Sequence, residues 1–153
     1  MSAPSALIVG LGDGLSASLA RLLAREGFRL VLAARDAAKL ADLATETGAD
    51  VVACDAADSA AVAALFEGCD AAFEGAPELV VYNPSARVRG PIAELDPAAV
   101  RRALDVTAFG AFLVGQEAAR RMLPVGRGTI LFTGASAGVK GYPRSAPFAM
   151  GKF

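Results

Sequence analysis

Gly10, Gly12 and Gly14 are the residues whose spacing speaks most directly of chemistry, in the string Gly10-Leu11-Gly12-Asp13-Gly14-Leu15-Ser16. The string follows a short apolar run and opens an amphipathic one. A glycine turn in that place presents backbone N–H groups and a helix start, which together receive a pyrophosphate. The competing reading is a tight strand-to-helix turn that needs positive φ and binds nothing. Between a strand and a helix, phosphate binding is the stronger of the two, and it draws in Gly10, Gly12, Asp13, Gly14 and Leu15. Metal chemistry has little to work with. There is no histidine, the chain has two cysteines, and Cys54 and Cys69 form no CxxC pair, so no metal site is expected.

The turn must be held by regular elements, and two kinds of segment alternate along the chain. Ala6 to Val9, Leu30 to Ala34, Val51 to Cys54, Leu79 to Tyr82 and Thr129 to Phe132 are short and apolar on both faces, the pattern of buried parallel strands. Between them, Leu15, Leu19, Leu22 and Leu23 trace one helix face. Val100, Leu104, Thr107, Ala111, Val114, Ala118 and Met122 trace a longer one over 97–123. Asp36 and Asp58 are placed as N-caps, Gly27 and Gly48 as stops, and Pro97 sits in a first turn. Pro124 follows the long helix, and a sixth helix starts near Pro147. The order predicts an α/β, Rossmann-type, doubly wound and mostly parallel sheet. Residues 1–153 read as one dinucleotide-binding domain, truncated after its fifth strand, because Phe153 falls inside the sixth helix.

The chain resembles the short-chain dehydrogenase/reductase family along its whole length. Gly10-x-x-x-Gly14-x-Ser16 is similar to the family's TGxxxGxG turn, with Val9 for Thr and Ser16 for the last Gly. Asn83-Pro84-Ser85-Ala86 resembles a degraded NNAG motif, and Val106-Thr107-Ala108-Phe109-Gly110 resembles VNxxG with Thr107 for Asn. The resemblance implies that Asp55, with Ala56 beside it, meets the adenine and that Asn83 lines the cofactor cleft. It places Arg35 at the cofactor-selecting end of the second strand. An arginine there favours the 2′-phosphate of NADP, with NAD left open; Asp13 opposes that phosphate.

The catalytic Ser, Tyr and Lys of the family fare unevenly. Lys152 is present and is expected to bind the nicotinamide ribose. Four residues earlier stands Phe148, which has no hydroxyl, and thirteen before that stands Ala135. Ser136 and Tyr142 are the candidates to replace the lost groups, against bland roles as a turn residue and a packed ring. Losing a general acid costs roughly 10²–10⁴-fold, so two readings stand. One is an NADP(H)-dependent oxidoreductase acting on a small carbonyl or alcohol with atypical catalytic residues; the other is a dinucleotide-binding protein that is weak or silent in catalysis.

Composition bounds the partners. The net charge is −1, 54% of residues are apolar, and mean hydropathy is +0.45. No basic stripe points to nucleic acid, and no apolar run reaches the ~18 residues of a membrane helix. Free thiols and an N-terminus without a basic leader point to the cytoplasm. Arg87 and Arg89 read as solvated loop charges, and Arg101-Arg102 and Arg120-Arg121 as the wet side of the long helix. Phe109, Phe112 and Leu113 lie off its core stripe. Since family members dimerise through this helix, the resemblance implies a homo-oligomer through it.

Overall fold

A computed structural model describes residues 3–12 and 14–153; Asp13 lies outside them. Five strands, β1 (Ser5–Val9), β2 (Arg29–Ala34), β3 (Asp50–Ala53), β4 (Leu79–Tyr82) and β5 (Thr129–Phe132), form one sheet in the order β3-β2-β1-β4-β5. Every neighbouring pair is parallel, with Leu7 opposite both Val31 and Val80. Helices α1 (Leu15–Arg25), α2 (Ala41–Thr47), α3 (Ser59–Phe73), α4 (Pro97–Leu104), α5 (Gly110–Val125) and α6 (Ala146–Lys152) complete it. The doubly wound parallel α/β architecture is as expected.

Alternation along β1 shows why both sides must be covered. Leu7 and Val9 face α3 and α5 with Val62, Leu65, Phe66, Val114 and Ala118; Ala6 and Ile8 face α1 and α2 with Ala17, Ala20, Leu23 and Leu43. The strand order reverses direction at β1. That opens a crevice between the C-terminal ends of β1 and β4, where the loops that follow diverge to opposite faces. Gly10 and Asn83 are the residues that enter it.

Several expectations need correction. The core face of α1 is Ser16, Ala17, Ala20 and Leu23, while Leu15 and Leu22 are 62% and 44% exposed. Small residues let this helix lie close to the sheet, which turns two leucines outward. The strands β3 and β5 are edges, and Leu131 and Phe132 are exposed rather than buried. Asp58 caps α3 through the Ala60 and Ala61 amides at 2.8 and 3.2 Å. Asp36 instead heads a 3₁₀ turn (Ala37–Leu40) with no side-chain cap, and pairs with Lys39 at 3.4 Å. The long helix is interrupted by a π turn, Asp105–Phe109, and continues past Pro124 to Val125 before Gly126. The extra residue rotates the register, so Leu113 is buried while Phe109 and Phe112 stay exposed and stack at 6.1 Å.

Arg121 is not on the wet side. Its Nε reaches both carboxylate oxygens of Asp70 at 2.9 and 2.8 Å, its Nη1 reaches Glu117 at 2.5 Å, and its guanidinium lies 5.1 Å from the Phe66 ring centroid. It fastens α5 to α3. Arg121→Ala should cost about 1–2 kcal/mol, discounted for partial exposure, which is roughly 3–6 °C of melting temperature. Burial raises the Glu117 carboxyl, but hydrogen bonds from Arg121 and Arg120 outweigh it and hold the group below its ordinary 4.5. Stability from that pairing is therefore present above pH 4.5 and lost as pH falls through the lowered value. The melting difference between wild type and Arg121→Ala should shrink below pH 4; a constant difference would refute the pairing.

Candidate functional site

The crevice is built around Gly10. Its φ is +83°, and a Cβ there would lie 2.5 Å from the Pro84 nitrogen and 2.6 Å from that ring's carbons. The glycine is thus required both by backbone conformation and by the approach of the loop after β4. Ser16, buried in the first turn of α1, ties the two loops together. Its Oγ donates to the Gly10 carbonyl at 2.9 Å and accepts from Asn83 Nδ2 at 2.7 Å. The sequence offered Ser16 only as a small substitute for glycine; the cross-loop hydrogen bonds were not legible in it. Gly14 caps α1 with no side chain, and among the described residues nothing lies within 4 Å of where a Cβ on Gly12 or Gly14 would be. Leu15 is exposed beside them.

Gly10, Arg35, Asp55 and Ala56 come together around a cleft of about 180 Å³ with Ala86 and Val106. Asp55 Oδ1 accepts from the Ala57 amide at 3.0 Å, which shapes the turn after β3. Arg35 is exposed, and among the described residues no carboxylate lies within salt-bridge distance of it. Asn83 is placed through its backbone as well, its amide donating to the Val9 carbonyl at 2.9 Å.

A second, larger cavity of about 720 Å³ adjoins through the loop after Asn83. It is lined by Arg87, Arg89, Ser136, Tyr142, Arg144 and Phe148, among others. Tyr142 and Ser136, chosen separately from sequence, touch here: the Tyr142 hydroxyl donates to Ser136 Oγ at 3.0 Å. The chain has two tyrosines. Tyr82 is committed elsewhere, buried with its hydroxyl donating to the Val106 carbonyl in the π turn. Burial, then the charge of Asp55, pushes its phenol well above the ordinary range, so it stays protonated.

Lys152 makes no hydrogen bond to this pair among the described residues. Its Nζ donates to the Thr133 carbonyl at 2.7 Å and lies 6.0 Å from the Phe148 ring centroid. Burial, with help from Arg87, holds its ammonium below the usual lysine value. Thr107 is buried, and its Oγ1 accepts from the Ala86 amide at 3.0 Å. It also abuts Gly151, where a Cβ would lie 2.8 Å from the threonine methyl. Thr107 is therefore a packing and loop-holding residue between α6 and the loop after β4. Arg87 and Arg89 are exposed, as expected of loop charges, and they also line the larger cavity, with Arg87 4.3 Å over the Phe148 ring. Both cysteines are buried, and burial pushes the thiols of Cys54 and Cys69 up to about 11 and about 12. Among the described residues no cluster of metal-ligating side chains occurs, and no helix is long and apolar enough to cross a membrane.

Comparison with known proteins agrees with this architecture. A family model described as short chain dehydrogenase matches residues 4–153. The chain is 32% identical to cis-4-hydroxycyclohexanecarboxylate dehydrogenase of Sinomonas cyclohexanicum, over 96% of this chain and 61% of that protein. A short-chain dehydrogenase from Rhodopseudomonas palustris superposes with a TM-score of 0.90 at 34% identity, covering 98% of this chain and 72% of that one. An actinorhodin polyketide ketoreductase variant with NADPH superposes at 0.93 with 25% identity, covering 98% and 60%. The chain thus spans about three fifths of the first relative's length. With the strand order, the glycine turn and these matches in agreement, the chain belongs to the short-chain dehydrogenase family.

Proposed function

We propose that residues 1–153 act as a dinucleotide-binding oxidoreductase domain that interconverts a small carbonyl and its alcohol with NADP(H), using Tyr142 and Ser136 in place of the hydroxyl that Phe148 lacks. The observation that carries this is the 3.0 Å hydrogen bond between the two hydroxyls on the wall of the larger cavity. The cradle fits a dinucleotide: Gly10 leaves no room for a side chain, and the glycine cap leaves the first amides of α1 open to a phosphate. Gly10, Gly12, Gly14 and Leu15 would hold the pyrophosphate, and Asp55, Ala56 and Asn83 would line the adenosine and nicotinamide sides. Arg35 would meet the 2′-phosphate, and its lack of a carboxylate partner among the described residues supports NADP.

When bound, the nicotinamide supplies or accepts the hydride. The protein's part is the proton. Ser136 Oγ accepts from Tyr142, which leaves the serine's own O–H free to donate to a substrate oxygen, with Tyr142 replenishing it and the exposed phenol regaining its proton from water. Lys152, whose Nζ is held on the Thr133 carbonyl, would reach a ribose hydroxyl. The exposed Phe109–Phe112 stack supports a homo-oligomer through the long helix, and the two free thiols support a cytoplasmic setting.

The chain has no tryptophan, so NADPH emission can be followed without that overlap. Titration should change the emission, and aldehydes or ketones should then consume NADPH above background. No change in emission removes the dinucleotide reading. Binding with no consumption by any carbonyl leaves a protein that holds the cofactor without turnover. Arg35→Glu should lower the preference for NADPH over NADH by about 10-fold or more, since it exchanges a charge-assisted contact for repulsion; an unchanged preference would detach Arg35 from cofactor choice.

A further inference from the structure

Resting on the oxidoreductase reading for the reaction alone, we infer that the larger cavity is an anion subsite, in which Arg87, Arg89 and Arg144 take the carboxylate or phosphate of the substrate. All three line its wall, and no Asp or Glu does. None of the three makes a salt bridge among the described residues, whereas Arg21, Arg101, Arg102, Arg120, Arg121 and Arg127 all do. Of the six arginines without a salt bridge among the described residues, Arg87, Arg89 and Arg144 line this one cavity beside Ser136 and Tyr142, while Arg25, Arg29 and Arg35 lie elsewhere.

All three arginines are exposed, and two features fix parts of this wall, the Arg87 side chain and the Arg144 backbone. Arg87 is stacked over Phe148 with its guanidinium carbon 4.3 Å from the ring centroid. Stacking on a face leaves the edge of the guanidinium, with its N–H donors, open to a planar anion. The aromatic ring that lost its hydroxyl has thereby become a platform for a cation. Arg144 has φ +58°, a left-handed backbone that a non-glycine residue adopts only when its surroundings impose it. Its carbonyl accepts from the Gly90 amide at 3.3 Å, one residue beyond Arg89. That bond links the two arginine-bearing loops across the cavity mouth.

The cavity is also separate from the cofactor cleft. The lining residues of the two are different, and Arg35 belongs to the cleft. None of the three arginines lines the cleft that holds Arg35. The subsite would fix a bifunctional substrate by its anionic end and leave the carbonyl beside the two hydroxyls.

The test is calorimetric titration of the whole chain with saturating NADP+, which cannot give a hydride to a carbonyl ligand. The probes are 4-oxopentanoate against 2-pentanone, and dihydroxyacetone phosphate against dihydroxyacetone. At least one anion should bind 10-fold or more tightly than its neutral counterpart, and the tighter of the two identifies carboxylate or phosphate. Arg87→Gln and Arg89→Gln should each weaken the anion about 10-fold and leave the neutral ligand alone. Arg87→Lys should weaken it nearly as much, because the charge survives without the stacked fork. Arg25→Gln, at the far end of α1, should change nothing. Equal affinity for charged and neutral probes overturns the inference, as does an equal loss in Arg25→Gln, which would mean bulk attraction. Anion binding without NADPH consumption would keep the subsite and remove the oxidoreductase reading; consumption with neutral carbonyls only would do the reverse.

Discussion

Gly10→Ala is expected to abolish the proposed NADPH binding and to lower the melting temperature by roughly 6–12 °C. The added Cβ meets the Pro84 nitrogen at 2.5 Å, backbone that cannot step aside as a flexible side chain would. A left-handed residue with a Cβ costs about 1–2 kcal/mol, and forcing atoms into a packed site costs a further 1–3 kcal/mol. A total of about 3 kcal/mol corresponds to that loss in a domain of this size. The binding loss is larger than the stability loss because the crevice between β1 and β4 would be pushed open. Gly12→Ala separates the two effects. Gly12 has no positive φ and, among the described residues, nothing within 4 Å of its missing Cβ, so the fold should keep its melting temperature while NADPH binding weakens. If Gly12→Ala and wild type bind NADPH equally, the turn is structural and the phosphate lies elsewhere.

How the sequence conveyed this depends on what each feature rests on. Strand positions and their order were legible because short apolar runs between helical stretches leave few alternatives; β4 and β5 fall where expected. The inner face of α1 was not, since leucines dominate any apolar pattern, while Ala17 and Ala20 are what allow close approach to the sheet. The π turn leaves no mark in residue spacing, and it moved Leu113 into the core. At the site, the glycine turn could be found from local order alone. The Ser16 bridge spans 67 residues to Asn83, and Arg121 reaches Asp70 across 51. Contacts at such separations come from the fold and have no local signature. The exposure of Arg87 and Arg89 was legible, but not the Phe148 ring that Arg87 meets, which arrives from a distant segment.

Under the proposed function, Tyr142→Phe should lower kcat for carbonyl reduction by about 10²–10⁴-fold, the worth of a positioned proton donor, with KM little changed. The ring stays and only the hydroxyl that reaches Ser136 at 3.0 Å is lost, so binding to the cavity wall should survive. Ser136→Ala removes the other half of the same path. If the hydroxyls act in series, the double variant is no slower than the slower single, because either break stops the proton. Multiplying losses would mean two separate roles. Phe148→Tyr supplies the decisive contrast. Phe148 lines the same cavity with Lys152 6.0 Å from its ring, so a hydroxyl there offers a second donor. In the Tyr142→Phe background it should recover at least 10-fold of the lost rate. In the wild-type background the gain should be small, since a donor is already present. If Tyr142→Phe turns over normally and Phe148→Tyr accelerates wild type, the proton does not come from the Tyr142–Ser136 pair.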